Sequence, residues 1–284
     1  MLLSSASRTI ALSPTNSTVL RLMTPGDIPA ALELSRLAGW NQTADDWRLL
    51  LELTPAGCFC FACGRTVVAT ATLMGYATRL AWVGMVLTHP DHRHRGYAKQ
   101  LLSELLTRAD ALGIPTIKLD ATDQGQPLYE KLGFEFEQPI ERWSRNESQN
   151  LPPARSTGNL SEWFEMDESC FGADRRSLLA GLAERSACYT NTLGYLLARG
   201  GREASYLGPC MAKSIAGARE LLTRALSNTQ SRWAWDLLPE NQDAVTLATE
   251  LGFRPQRRLT RMRRGAPLQT DDGRIYSIAG FEFG

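Results

Sequence analysis

The run WVGMVLTHPDHRHRGYAK at residues 82–99 reads as a strand, a basic glycine turn and the first turn of a helix. Val83, Met85 and Leu87 take alternate strand positions, Pro90 ends the ladder, and Gly96 permits the backbone geometry that turns amide N–H groups inward. Beyond the turn, Ala98, Leu101, Leu102, Leu105 and Ala109 fall at helical spacing, with Gly113 as a stop. The turn therefore lies at a helix N-terminus, where unpaired N–H groups and the macrodipole favour an anion. A P-loop is excluded because no Gly-Lys-Ser/Thr follows the turn, and a Rossmann site because no three-glycine fingerprint follows an early strand.

Within that run, Arg93-His94-Arg95-Gly96-Tyr97-Ala98 fits an Arg/Gln-x-x-Gly-x-Gly/Ala loop. It is followed by a strand-like Thr116-Ile117-Lys118-Leu119-Asp120 and by PLYEKLGF at residues 127–134. The two motifs and their separation resemble the GNAT superfamily of acyl-CoA N-acyltransferases over the first half of the chain. The resemblance implies an α/β fold, a mixed, mostly antiparallel sheet with helices on both faces, and acetyl-CoA as the acyl donor. It also implies that amides from His94, Arg95, Gly96, Tyr97, Ala98 and Lys99 meet the pyrophosphate, with Arg93 and Arg95 adding charge, and that Val86, Leu87 and Thr88 pair with the pantetheine arm. Thr122 stands where the family often has an Asn on that arm, a departure from the pattern.

By the same resemblance Tyr129 is the candidate general acid, since a phenol can donate to a departing thiolate without ionising at neutral pH. A buried Tyr that only hydrogen-bonds sulfur is the plainer reading. Asp120 is the candidate base, with Asp46 and Asp123 behind it and a water chain as the alternative. Trp40, Asn41, Asp46 and Trp47, from the early helical region, are expected on the acceptor side. Trp82 joins them as a hint of an aromatic or cation-binding pocket, although tryptophans flanking a helix commonly pack as core. All three histidines, His89, His92 and His94, sit in the basic turn, but Arg93 and Arg95 between them would repel a cation, so no metal is expected.

The 284 residues are enough for two domains. With 43% apolar and 21% charged residues and no apolar run of membrane length, the chain reads as globular and without a membrane partner. A net charge of +1 argues against a general nucleic-acid surface. The Cys58-Phe59-Cys60-Phe61-Ala62-Cys63 alternation reads as a strand with core thiols, since ligands at partner spacing are absent. No secretory h-region is seen, so a reducing, cytoplasmic location is expected. The acid-free, Ser/Thr-rich residues 1–17 read as a flexible tail, with a transit peptide as the alternative.

Further along, Thr18-Val19-Leu20-Arg21-Leu22 reads as a strand, Thr24-Pro25-Gly26-Asp27 as a turn into a helix, and Thr43 as the cap of a second helix. Residues 18–145 form the expected first domain, residues 146–158, with Pro152-Pro153, a linker, and residues 159–284 a second domain. His89-Pro90 and Gly208-Pro209 are 119 positions apart, and Gly133-Phe134 and Gly252-Phe253 by the same interval, which implies a duplicated domain. At that offset Arg93 meets Ala212, Gly96 meets Ile215 and Tyr129 meets Ala248, so the second copy is expected to lack a working cradle. The favoured reading is an N-acetyltransferase acting on a small-molecule amine by direct transfer in a ternary complex. A protein or peptide acceptor, or a non-catalytic acyl-CoA sensor, are the alternatives. Oligomeric state is not readable, and a monomer is compatible with the duplication.

Overall fold

The computed structural model describes residues 18–64, 66–146, 158–227 and 232–284. The expected tail lies outside them, as do residues 147–157 of the expected linker. The first half runs β1 (Thr18–Leu22), α1 (Ile28–Leu37), α2 (Ala44–Leu53), β2 (Cys58–Cys63), β3 (Thr66–Tyr76), β4 (Leu80–Thr88), α3 (Tyr97–Ala111), β5 (Thr116–Ala121), α4 (Gln126–Lys131) and β6 (Glu135–Arg145). The second half follows with α5 (Phe164–Phe171), α6 (Arg176–Ala183), β7 (Ser186–Asn191), β8 (Gly194–Arg199), β9 (Ser205–Ala212), α7 (Ile215–Leu226), β10 (Trp233–Leu237), α8 (Gln242–Glu250), β11 (Arg254–Gly265) and β12 (Ile275–Ser277). None of the described helices is long and apolar enough to cross a membrane.

Local signals set the elements where they were expected. Thr43 caps α2 in a reciprocal box with Asp46, whose carboxylate accepts from the Thr43 N–H at 2.7 Å. The α3 stripe buries Leu101, Leu102, Leu105, Leu106 and Ala109 against the sheet. Cys58 and Cys60 are buried on β2, and burial pushes their thiols up to about 12 and about 11, as expected of core cysteines rather than reactive ones.

The two halves do not build separate sheets. One sheet runs β1-β2-β3-β4-β5-β11-β6-β10-β9-β8-β7, with β12 against β9. Interchanging the halves maps the order β2 through β7 onto itself, with β4 parallel to β5 as β9 is to β10. The strand after α4 and the strand after α8 have changed places: β11 pairs with β5 and β6 pairs with β10. Each half thus completes its sheet with the other's last long strand. On one face, α1, α2, α5 and α6 bury a common core, with Leu49 and Leu50 beside Leu178, Leu179 and Leu182. On the other, α3 and α7 cover separate cores.

The duplication is visible in the turn after each fourth helix. Phe134 donates to the Tyr129 carbonyl at 3.1 Å and Phe253 to the Ala248 carbonyl at 2.9 Å, so Ala248 does stand where Tyr129 does. The proline pair, however, is not equivalent. Pro90 lies in the turn after β4, whereas Pro209 lies inside β9. The constant offset fails there because the second half has only Lys213 and Ser214 between β9 and α7, where the first half has residues 89–96. The counterpart of Gly96 at the helix cap is therefore Ser214, not Ile215, and its hydroxyl accepts from the Gly217 N–H. A loop that short, closed by its own serine, leaves no cradle in the second half.

Candidate functional site

Strands β4 and β5 pair in parallel only from Leu80–Thr116 to Trp82–Lys118, then part. The cause lies in β4. Thr70 faces Leu87 while Thr72 faces Gly84, so β4 carries one extra residue, and Met85 takes φ 50°. The Thr70 hydroxyl donates to the Met85 carbonyl at 2.8 Å and pins this bulge. Beyond it, Leu87 and Thr88 stay paired with β3, and Val86, Leu87 and Thr88 border a cleft of about 920 Å³.

One end of the cleft is the basic turn. His94 at φ 61° and Gly96 at φ 79° bend the chain into α3, and no side chain caps the helix. Arg93 and Arg95 are anchored to the turn's own carbonyls, at Thr88 (3.4 Å) and Asp91 (3.0 Å). A Cβ at Gly96 would meet only the tip of Gln100, at 3.8 Å, so the space in front of the amides is open. Arg93, His94, Arg95, Gly96, Tyr97, Ala98, Lys99 and Thr122 all border this cleft. A helix N-terminus, two left-handed residues and two arginines form a donor set that fits a pyrophosphate.

Tyr129 borders the cleft. Its ring meets Phe134 edge-on at 6.0 Å, burial pushes its phenol well above the ordinary value, and its hydroxyl has no hydrogen-bond partner among the described residues. Asp120 borders the cleft too, but both its oxygens accept from Arg261, Nε at 2.8 Å and an Nη at 3.0 Å. Burial pushes this carboxyl up and Arg261 opposes it. A carboxylate held on both oxygens by a buried arginine is part of the wall, and this geometry speaks against its accepting a proton from substrate.

The acceptor-side expectations divide. Trp40 lines the cleft. Asn41 instead clamps the loop before β9, donating to the Ala204 carbonyl at 2.8 Å and accepting from the Glu203 N–H at 2.7 Å. Asp46 lies behind the cleft wall near Arg199, at 3.7 Å. Trp47 is fully buried, its Nε1–H donating to the Ser35 hydroxyl, and Trp82 is buried with its Nε1–H on the Phe281 carbonyl at 2.9 Å. Both tryptophans are core: they follow the apolar periodicity of their own elements, which turns them inward.

Among the cleft residues that were not anticipated are Arg142 and, from the second half, Arg257, Arg258, Phe281 and Glu282. Residues 278–284 lie against β4. Trp82, Tyr76 and Arg175 donate to the carbonyls of Phe281, Phe283 and Gly284, and Arg199 to that of Ala279. Gly84 makes this possible, since a Cβ there would come within 2.8 Å of the Glu282 carbonyl oxygen. The Glu282 carboxylate accepts from Gln42 Nε2 at 2.8 Å and stands 3.7 Å from an Arg199 nitrogen. Burial, reinforced by Asp46 and opposed by Arg199 and Gln42, pushes it up to about 7. The available signal was an acid flanked by aromatics and glycines, Gly280-Phe281-Glu282-Phe283-Gly284, a pattern that suits a buried acid.

Comparison with known proteins agrees with this geometry. The acetyltransferase (GNAT) family model matches residues 30–134, and a second acetyltransferase (GNAT) domain model matches residues 163–277. The uncharacterized N-acetyltransferase YitH of Bacillus subtilis is 24% identical over 216 residues, covering 70% of this chain and 75% of its own. The holothin acyltransferase of Pseudoalteromonas sp. is 23% identical over 282 residues, covering 90% and 93%. Among solved structures, a protein from Pyrococcus horikoshii described as an acetyltransferase superposes with a TM-score of 0.82 at 22% identity, covering 98% of this chain and 99% of that one. A GCN5-related N-acetyltransferase from Sphaerobacter thermophilus gives 0.65 at 16%, covering 91% and 99%. At these identities the structures speak for the fold, and they do so over nearly the whole tandem chain.

Proposed function

This chain belongs to the GNAT acetyltransferase family, with one family domain in each half, and from that premise we propose that its cleft beside β4 transfers an acetyl group from acetyl-CoA to the amine of a small molecule. The observation that carries the reading is the parting of β4 from β5, with a basic turn at an uncapped helix N-terminus and a buried carboxylate both bordering the gap. Acetyl-CoA supplies an activated thioester when bound. The turn residues 93–99 hold its pyrophosphate, and Val86 to Thr88 offer a strand edge to its arm. The acceptor attacks as the free amine, Glu282 accepts the proton that nitrogen sheds as the C–N bond forms, a backbone N–H near the Met85 bulge receives the developing oxyanion, and Tyr129 donates its proton to the sulfur as the C–S bond breaks.

Both proton-handling groups suit their parts. Glu282, held up to about 7, ionises near neutral pH, whereas Tyr129, pushed further up by burial, keeps its proton. Trp40, Phe281 and Arg142 wall the acceptor end, which favours a small acceptor over a peptide lying in an open trough. The direct test is release of free CoA thiol from acetyl-CoA with a panel of small amines. No release with any amine, from protein that binds acetyl-CoA, would leave the sensor reading in its place. Tyr129→Phe is expected to lower kcat by about 100-fold, the low end for a general acid, with KM for the amine little changed. Unchanged kcat would reduce the phenol to a packing group.

A further inference from the structure

The cleft also carries a cation that has no counter-ion among the described residues. On β11, Thr260 is the first residue to pair with β5, at Ala121, so Arg257, Arg258 and Leu259 extend past the end of β5 and border the cleft instead. A register shift between Pro255 and Arg257 marks a bulge at this point, and Arg257 faces Arg142 of β6 across it. Arg142 is satisfied, its guanidinium held by both oxygens of Asp236 at 2.7 and 2.6 Å. Arg257 is half-buried, yet it has no hydrogen bond or ion pair among the described residues. Burial and the neighbouring Arg142 both pull it below its ordinary value. Asp236, taken by Arg142, and the exposed Asp123 act on it only from beyond ion-pair distance. Arg258, exposed beside it, is likewise unpaired.

We propose that the acceptor is an amine bearing a carboxylate, and that Arg257 is the residue that selects it, with Arg258 adding charge at the mouth. The inference rests on the acyl-transfer reading. A guanidinium that loses hydration without gaining a partner is costly alone, and a ligand carboxylate met by its planar fork removes that cost. The cleft is also lined by Leu37, Trp40 and Phe281, so the side chain of such an acceptor is apolar or aromatic. Glu282, which borders the same cleft, would meet the amine while Arg257 meets the acid, which fixes the acceptor's direction.

The experiment compares phenylalanine, phenylalaninamide and phenethylamine as acceptors by CoA release. Phenylalanine is expected to exceed the other two in kcat/KM by about 10- to 100-fold, mostly through KM, the range for a hydrogen bond to a charged group. Arg257→Gln should erase that preference and Arg257→Glu should invert it. Equal use of all three by the wild type, or an Arg257→Gln effect confined to KM for acetyl-CoA, would overturn the assignment. If no amine is turned over, 3-phenylpropanoate binding to the CoA-saturated protein decides separately by calorimetry. Binding lost in Arg257→Gln upholds the carboxylate site while the transfer reading fails, and no binding to wild type sinks the site as well.

Discussion

Glu282→Gln lowers kcat for CoA release by about 10²- to 10⁴-fold at pH 8, the span associated with a positioned general base, while acetyl-CoA still raises the melting temperature. The substitution removes the ionisable oxygen and keeps the shape. The new amide can donate to Gln42 Oε1, a buried acceptor that has no partner among the described residues of the wild type, so the fold is expected to tolerate it. In the wild type, kcat/KM rises with pH through about 7 as the carboxyl ionises, and this limb vanishes in the variant. The groups that set the titration come from several elements: Asp46 on α2, Arg199 on β8, Gln42 before α2, and Arg142, Tyr76 and Tyr206 from the sheet. Stability moves the other way. A carboxyl raised in the folded state binds more protons there than in the unfolded chain, so wild-type stability falls as pH rises from the ordinary glutamate range, about 4.3, through about 7. The decline should be shallower in Glu282→Gln. Turnover that survives with its limb near 7 would place the base elsewhere.

What could be read from the chain was local, and what could not was brought in from a distance. Gly96, the arginines beside it and the α3 stripe lie within one strand-turn-helix unit, so spacing alone located the basic turn. Tyr129 was placed by its neighbours Gly133 and Phe134 in the same way. Asp120 looked like an open carboxylate because Arg261, which holds it, lies 141 positions away on a strand from the other half. Trp47 and Trp82 were misplaced because residue type does not tell which side of a helix or strand meets the core. The exchange of β6 and β11 left no mark in the sequence, since each strand carries the same alternation whether it closes its own sheet or its twin's. Its consequence is large. Arg261, Arg257 and Glu282 all belong to the half that lost its own cradle, so on the proposed mechanism the degenerate copy is retained as the wall and base of the first copy's cleft.

Gly96→Glu abolishes the response to acetyl-CoA. A ligand at about 100 times its dissociation constant adds about 2.7 kcal/mol to the folded state, a rise in melting temperature of about 5 °C for a chain of this size. The variant should show none, which requires affinity to fall by about 1,000-fold or more. Two effects act at this position and can be separated. At φ 79° any side chain adds strain of about 1 kcal/mol, which lowers the starting melting temperature without touching the ligand. The space beyond the Cα is open, so the glutamate's charge can enter the region where the amides of α3 point, and there it repels a phosphate and competes for the same donors. Gly96→Ala carries the strain without the charge, so it should start lower than wild type yet keep most of the acetyl-CoA shift. If alanine loses the shift as completely as glutamate, backbone shape rather than electrostatics governs the turn. If glutamate keeps it, the pyrophosphate is held elsewhere and the cleft's assignment, cradle at the basic turn and base at Glu282, would have to be revised.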